Sequence, residues 1–157
     1  MTEPLVSVVM PAYHCEKTIG KAIESVLRQS VDLELIVIND CSGEMLDQVM
    51  ESYSANPVII YVKNEKNLGA AESRNKGVAM ARGKYVAFLD ADDWWEDGKL
   101  QKQIQKLEET QMVLCCTARE LVTPEGKLTG RVIPVNDTIT YCQLLHHNSI
   151  NCSSVLI

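Results

Sequence analysis

Between Leu5 and Leu107 a short apolar run is followed four times by a segment of helical periodicity, and that alternation leaves few folds open. The apolar runs are residues 5–10, 33–38, 58–62 and 85–89. They are nearly continuous in Val, Ile, Leu and Met, as strands covered on both faces require. Pro11 is expected to end the first of them. Between the runs, Ile19, Ala22, Ile23, Val26 and Leu27 recur at helical spacing, as do Met45, Leu46, Val49, Met50 and Tyr53. A third helix is expected over residues 70–82, with Gly83 as its C-terminal stop. A fourth carries Leu100, Ile104 and Leu107 on one face. Strand–helix alternation of this kind predicts an α/β fold with a mostly parallel central sheet, flanking helices and right-handed crossovers.

Beyond Met112 the pattern is weaker. Residues 112–117 read as a strand, and Thr123-Pro124-Glu125-Gly126 as a turn between two strands. A short helix is expected from Asp137 or Thr138 through His147, and a last strand over residues 151–157. No repeat, linker or low-complexity stretch divides the chain.

Composition excludes several function classes. The net charge of −6, from 15 basic and 21 acidic residues, gives no basic face for nucleic acid. No polybasic amphipathic segment would hold the chain on an anionic membrane. No apolar run approaches the ~18–20 residues that span a bilayer. The N-terminus lacks the positive region of a secretory signal, so a cytosolic setting is expected. The six cysteines form no C-x-x-C pair and match no zinc spacing. They are expected to be reduced, small and mostly buried. His14, His146 and His147 also lack metal-ligand spacing.

Open α/β sheets bind ligands at the carboxyl ends of their strands. Here those ends carry Pro11-Ala12-Tyr13, Asn39-Asp40 and Asp90-Ala91-Asp92-Asp93. Carboxylates repel a diphosphate, but they can hold a divalent cation that bridges its oxygens. Oxygen ligands of this kind suit Mg²⁺ or Mn²⁺. The bland alternative for Asp92 and Asp93 is helix capping. For Asn39-Asp40 it is an Asx turn, against a hydrogen bond to a nucleobase. Arg74, inside the third helix, is either solvated surface or a phosphate or base contact. Gly69, at that helix's start, allows close backbone approach. Of Trp94 and Trp95, one is expected in the core and the other beside a sugar site. No G-x-G-x-x-G follows the first strand, and neither a P-loop nor a G-x-S-x-G elbow is present.

Taken together, four blocks resemble the family 2 glycosyltransferases. They are Val8-Val9-Met10-Pro11-Ala12-Tyr13, Ile36-Val37-Ile38-Asn39-Asp40-Cys41-Ser42, Asn67-Leu68-Gly69-Ala70-Ala71-Glu72-Ser73-Arg74-Asn75-Lys76-Gly77 and Gly83-Lys84-Tyr85-Val86-Ala87-Phe88-Leu89-Asp90-Ala91-Asp92-Asp93. The resemblance covers about residues 5–110. It implies a GT-A, Rossmann-like nucleotide-diphospho-sugar transferase architecture across residues 1–157, as a single donor-binding domain cut short before the acceptor and catalytic-base region. It further implies that Pro11, Ala12 and Tyr13 border the nucleotide and that Asp40 contacts its base, usually uracil. Asn39 stands where the family often has Asp. Gly69, Arg74, Asp90 and Ala91 complete the implied donor site, and Asp92 is its metal ligand, for Mn²⁺ or Mg²⁺.

The implied reaction is inverting transfer from a nucleoside-diphosphate sugar, a UDP-sugar by preference, to a saccharide or lipid-linked acceptor. Its setting would be bacterial surface polysaccharide, lipopolysaccharide or cell-wall assembly. The enzyme would be cytoplasmic or at the cytoplasmic face of the inner membrane, with peripheral membrane association and self-association both open to the full-length protein. A carboxylate base is expected beyond residue 157. Two other readings compete. A sugar-1-phosphate nucleotidyltransferase normally needs a Gly-rich basic loop where Pro11-Ala12-Tyr13-His14-Cys15 stands. A non-catalytic nucleotide-binding or scaffolding module would bind without turnover.

Overall fold

The computed structural model describes residues 3–123, 125–136, 138–146 and 150–157. A four-stranded sheet is built from β1 (Val6–Ala12), β2 (Leu33–Asn39), β3 (Ile59–Lys63) and β4 (Tyr85–Phe88). Its order is β3-β2-β1-β4, and every pairing is parallel. The crossovers contain α1 (Ile19–Leu27), α2 (Glu44–Glu51) and α3 (Ala70–Met80), and α4 (Lys99–Thr110) follows β4. The expected α/β architecture and the order of its first eight elements are therefore observed.

The two central strands explain why the sequence folds this way. Every residue of β2 is buried, and all of β1 except Pro11. Ile19, Ala22, Ile23 and Val26 of α1 pack into the same core, with Leu100, Ile104 and Leu107 of α4. Each fully buried aliphatic side chain contributes roughly 1.5–3 kcal/mol, and this face holds the sheet shut.

Pro11 does not end β1, contrary to expectation. The strand runs on to Ala12, with Pro11 opposite Ile38. The carbonyls of Leu5 and Val9 accept from Tyr85 and Leu89, so the odd residues of β1 face β4. Pro11 faces that side beyond the last paired residue, Phe88, so the N–H it lacks interrupts no paired stretch of the ladder.

Helix α3 stops at Met80, two residues short of the expectation, and Ala81 is already extended (φ −63°, ψ 135°). Gly83 is therefore not its cap. A Cβ on Gly83 would lie 2.6 Å from the Ser7 backbone nitrogen, so the glycine serves close approach to β1. The buried residues of α3 are Ser73 and Gly77, not large aliphatics. A Cβ on Gly77 would lie 2.3 Å from Cγ1 of Val9. The small face lets α3 ride directly on β1 and brings Arg74 to the carboxyl edge of the sheet.

The last strands differ most from expectation. Residues 112–117 contribute only a bridge at Cys115, which pairs with Leu156 antiparallel. Leu156 also bridges Ala87 of β4, and Val86 exchanges two backbone hydrogen bonds with Ile157. Before it, Cys152–Ser154 form a 3-10 turn rather than a strand. Ser154 bonds back to the Asn151 carbonyl through both its N–H (3.0 Å) and its Oγ (2.6 Å), and those local bonds replace a ladder.

The expected turn at residues 123–126 joins β5 (Arg119–Val122) to β6 (Leu128–Ile133), an exposed antiparallel hairpin; Pro124 lies outside the described residues. Helix α5 spans Tyr141–His146, while Asp137 and His147 also lie outside them. The cysteines are free, and none is fully buried: Cys41, Cys142 and Cys152 are exposed. Cys41 and Cys152 sit in a polar loop and a turn, and Cys142 on helix α5, which buries no residue, so none of the three lies on a core face. No described helix is long and apolar enough to cross a membrane.

Candidate functional site

At the carboxyl edge of the sheet the ends of β1 and β2 are joined by hydrogen bonds. The Ala12 carbonyl accepts from the Asp40 N–H at 2.8 Å and from Ser42 Oγ at 3.4 Å, while the His14 N–H donates to Ser42 Oγ at 3.0 Å. His14 (φ 48°) and Cys41 (φ 66°) both take the left-handed conformation to turn these loops. Pro11 and Ala12 form the floor, and the Tyr13 ring stands half exposed above it.

Asn39 and Asp40 are adjacent in sequence but do different things. Asn39 is buried and committed to its own surroundings. Its Oδ1 accepts the Ser42 N–H, three residues on, at 2.7 Å, a local side-chain bond that closes the loop after β2. Its Nδ2 donates to the Tyr61 hydroxyl at 2.6 Å and lies 3.4 Å from Asp47. The side chain expected to border a nucleotide is therefore turned toward α2 and β3.

Asp40 instead organises the start of α3. Its Oδ1 accepts from Asn64 Nδ2 and the Leu68 N–H, both at 2.8 Å, and its Oδ2 accepts the Gly69 N–H at 2.8 Å. Burial raises the carboxyl pKa, but the bonds from Asn64, Leu68, Gly69 and Ser73 outweigh it and hold Asp40 below the usual range. Gly69 sits at φ 85°, ψ 161°, a region essentially reserved for glycine, and only there does its N–H meet Asp40. Asp40 lies at the carboxyl edge of the sheet, its carboxylate engaged by the loop that leads into α3.

Arg74 pairs with Asp90 Oδ1, both side chains being largely covered. Arg74 Nε is the one buried side-chain nitrogen or oxygen among the described residues that lacks a partner. So Arg74 is not solvated surface: it clamps the acidic turn that follows β4. The turn is closed by the Asp93 N–H donating to the Asp90 carbonyl at 3.0 Å, with the small Ala91 buried inside it.

The three carboxylates of this turn meet different fates. Asp90 is paired with Arg74. Asp93 is raised in pKa by burial, then by Asp92 and Asp90, against the opposing bond from Ser153 and the charge of Arg119. Asp92 is exposed, and no hydrogen bond or ion pair with a described residue engages its carboxylate. Among the described residues no group of three or more His, Cys, Asp or Glu is placed to enclose a metal ion. A bare carboxylate oxygen beside partnered neighbours fits a divalent cation held by one protein ligand with the rest supplied by a bound diphosphate.

Trp95 is core, its Nε1 donating to the Ser153 carbonyl at 2.6 Å. Trp94 is half-buried and stacks under Lys21, whose Nζ lies 2.9 Å from the ring centroid. A cleft of about 670 Å³ opens between this loop and the β5–β6 hairpin, lined among others by Asp93, Trp94, Lys99, Arg119, Asn151 and Ser153. Asp40 and Asp92 do not line it. Asn64, Ser73 and Ser153 are site-building residues that the sequence alone does not single out.

A parallel sheet flanked by helices, whose carboxyl edge presents an acidic turn, a clamped arginine and a bare aspartate, has the GT-A fold. The chain belongs to glycosyl transferase family 2, whose profile matches residues 7–155. It is 36% identical over 157 residues to TuaG of Bacillus subtilis, a protein named for teichuronic acid biosynthesis, covering 99% of this chain and 62% of the relative. It is 32% identical over 154 residues to an Escherichia coli protein, the UDP-Glc:alpha-D-GlcNAc-diphosphoundecaprenol beta-1,3-glucosyltransferase WfaP, covering 98% of this chain and 60% of the relative. S. aureus TarS 1-349 in complex with UDP-GlcNAc superimposes with a TM-score of 0.70 at 25% identity, over 83% of this chain and 37% of that one. The chain thus spans about three-fifths of the length of these curated relatives.

Proposed function

We propose that this chain supplies the donor site of a metal-assisted, inverting glycosyltransferase that takes a UDP-sugar, and that Asp92 is its protein ligand to Mn²⁺ or Mg²⁺. The observation that carries this reading is the bare Asp92 carboxylate at the sheet's carboxyl edge, between neighbours that are already bonded. The UDP-GlcNAc complex of TarS supports a uridine donor.

When bound, the cation neutralises charge on the departing diphosphate. The chain's own residues do the rest. Asp40 fixes the loop that ends at Gly69, against which the nucleotide lies, with Pro11, Ala12 and Tyr13 forming the opposite wall. Arg74 holds Asp90 beside the ribose and sugar. The acceptor hydroxyl attacks the anomeric carbon as its bond to the diphosphate breaks, and a carboxylate base takes the hydroxyl proton. That base is proposed to lie in the further length that the relatives carry.

The relatives' names support an acceptor that is a saccharide or a lipid-linked saccharide of the bacterial surface. We place the enzyme in the cytoplasm or at the cytoplasmic face of the inner membrane, where such acceptors are exposed. The open edge at β3 is the surface proposed for any self-association.

The test is calorimetric titration of UDP, GDP and dTDP, with and without Mn²⁺, into the wild-type chain and Asp92→Ala. Mn²⁺-dependent binding of UDP that the substitution abolishes is the expected result. A folded protein that binds no nucleotide, or binds equally well without Asp92, overturns the reading. A scaffolding module would bind UDP, yet the longer protein would not transfer the sugar of a UDP-sugar.

A further inference from the structure

We propose that Ser153 is a positioning residue for the acidic turn at residues 90–93, and that its hydroxyl sets the direction in which Asp92 presents its carboxylate; this rests on the donor-site reading above. Ser153 is separated from the turn by about sixty residues of chain, yet its hydroxyl is bonded to the turn's backbone. Its Oγ accepts the Asp90 N–H at 3.1 Å, the backbone donor that opens the turn.

The hydroxyl is itself fixed from behind. Ser153 is buried, and its carbonyl accepts Trp95 Nε1 at 2.6 Å. The next carbonyl, of Ser154, accepts Gln103 Nε2 at 2.9 Å, and the same amide nitrogen donates to the Cys115 carbonyl. Leu156 then ties the segment to β4 and Cys115. Core, α4 and sheet edge therefore fix one oxygen against the turn. Asp92 itself has no side-chain restraint from the described residues, so its direction is inherited from the turn's backbone. Without the hydroxyl, the Asp90 N–H would lose its acceptor, and the backbone that aims Asp92 would lose its anchor to the core.

The test compares Ser153→Ala, Ser153→Thr and the neighbouring Ser154→Ala with the wild-type chain. UDP affinity is measured by calorimetry with and without Mn²⁺, and Asp90 amide exchange is followed by NMR without ligand. Loss of a group that orients a metal ligand typically weakens metal-linked affinity ~10–100-fold, and that loss is expected for Ser153→Ala with Mn²⁺ only. Ser153→Thr, which keeps the hydroxyl, should stay within a few-fold of wild type, as should Ser154→Ala. Asp90 amide exchange should accelerate in Ser153→Ala alone.

Ser153→Ala with wild-type Mn²⁺-dependent affinity, or with equal losses with and without Mn²⁺, overturns the positioning role while the donor site stands. A folded wild-type chain without Mn²⁺-dependent UDP binding overturns the donor-site reading. In that case an Asp90 amide that exchanges no faster in Ser153→Ala overturns the positioning role as well.

Discussion

The Asp40 carboxylate accepts the Gly69 N–H at 2.8 Å while Gly69 holds φ 85°, so one strand end and one helix start are locked together across twenty-nine positions of sequence. Asp40→Asn keeps the shape but replaces one acceptor oxygen with an NH₂ group that faces N–H donors. A buried, unsatisfied donor costs ~1–3 kcal/mol. Gly69→Ala strains a conformation that costs roughly 1–3 kcal/mol for a residue with a side chain, although open space surrounds it. Both variants should lose stability of that order in urea unfolding, and both should weaken UDP binding. A Gly69→Ala protein of unchanged stability would show that the loop has another conformation available.

How far the sequence exposed this arrangement depends on the element. Strand β2 and helix α1 were legible because their burial is written as a nearly continuous apolar run, interrupted only by Glu34 before Asn39, and a clean stripe. Helix α3 was legible in place but not in purpose. Its inward face is Ser73 and Gly77, so hydrophobicity does not mark the face that packs. Asp92 and Asp40 could be found as acidic residues following apolar strands. The groups that hold their surroundings could not: Asn64 reaches both Asp40 and Ser73, and Ser153 reaches Asp90, through tertiary contacts that leave no local pattern. The terminal segment misled for a related reason. Residues 151–154 look like a strand start, but their own serine and asparagine groups satisfy the backbone first.

Gly77 provides the test of why α3 sits so close. A methyl at this position would meet Val9 Cγ1 at 2.3 Å, and Val9 is fully buried. Overpacking of this kind costs ~1–3 kcal/mol, against which the better helix propensity of alanine returns about 1 kcal/mol. Gly77→Ala should therefore be destabilised or nearly neutral, and should also bind UDP more weakly, because the helix carries Arg74. Removing the opposing methyls in a Gly77→Ala/Val9→Ala double variant should restore binding relative to Gly77→Ala. Additive losses in the double-mutant cycle would mean that the two residues do not compete for the same space.

At the opposite edge of the sheet, Glu34 supplies a stability element that is separate from the site. It is buried, accepts from Ser7 Oγ at 2.7 Å and the Arg82 N–H at 2.8 Å, and pairs with the Arg82 guanidinium. Burial raises its pKa, but the Ser7 and Arg82 bonds win and the folded value is lowered. A lowered carboxylate pKa contributes stability that is present above the unfolded value, near 4.5, and lost as pH falls through the folded one. Glu34→Gln should therefore lower Tm at pH 7 and show a shallower loss of Tm between pH 5 and pH 3 than wild type. UDP affinity of the folded protein at pH 7 should not change.

Lys99 carries the opposite linkage. It is buried against Trp95, its Nζ lying 4.2 Å from the ring centroid and 2.6 Å from Gln103 Oε1. Burial lowers its pKa to about 7, with Cys115 and Cys116 opposing. The unfolded chain then binds one more proton than the folded chain between about pH 7 and the ordinary lysine value of 10.5, so stability rises with pH across that window. Below pH 7 both states are protonated, and the folded protein carries the full cost of a buried ammonium, on the order of a few kcal/mol. Lys99→Met removes that cost while keeping the volume. The variant should be more stable than wild type at pH 6–7, with the advantage shrinking steadily toward pH 10, as urea unfolding at several pH values would record. A wild-type protein whose stability is flat from pH 7 to pH 10 would place the Lys99 ammonium in contact with water rather than in the core.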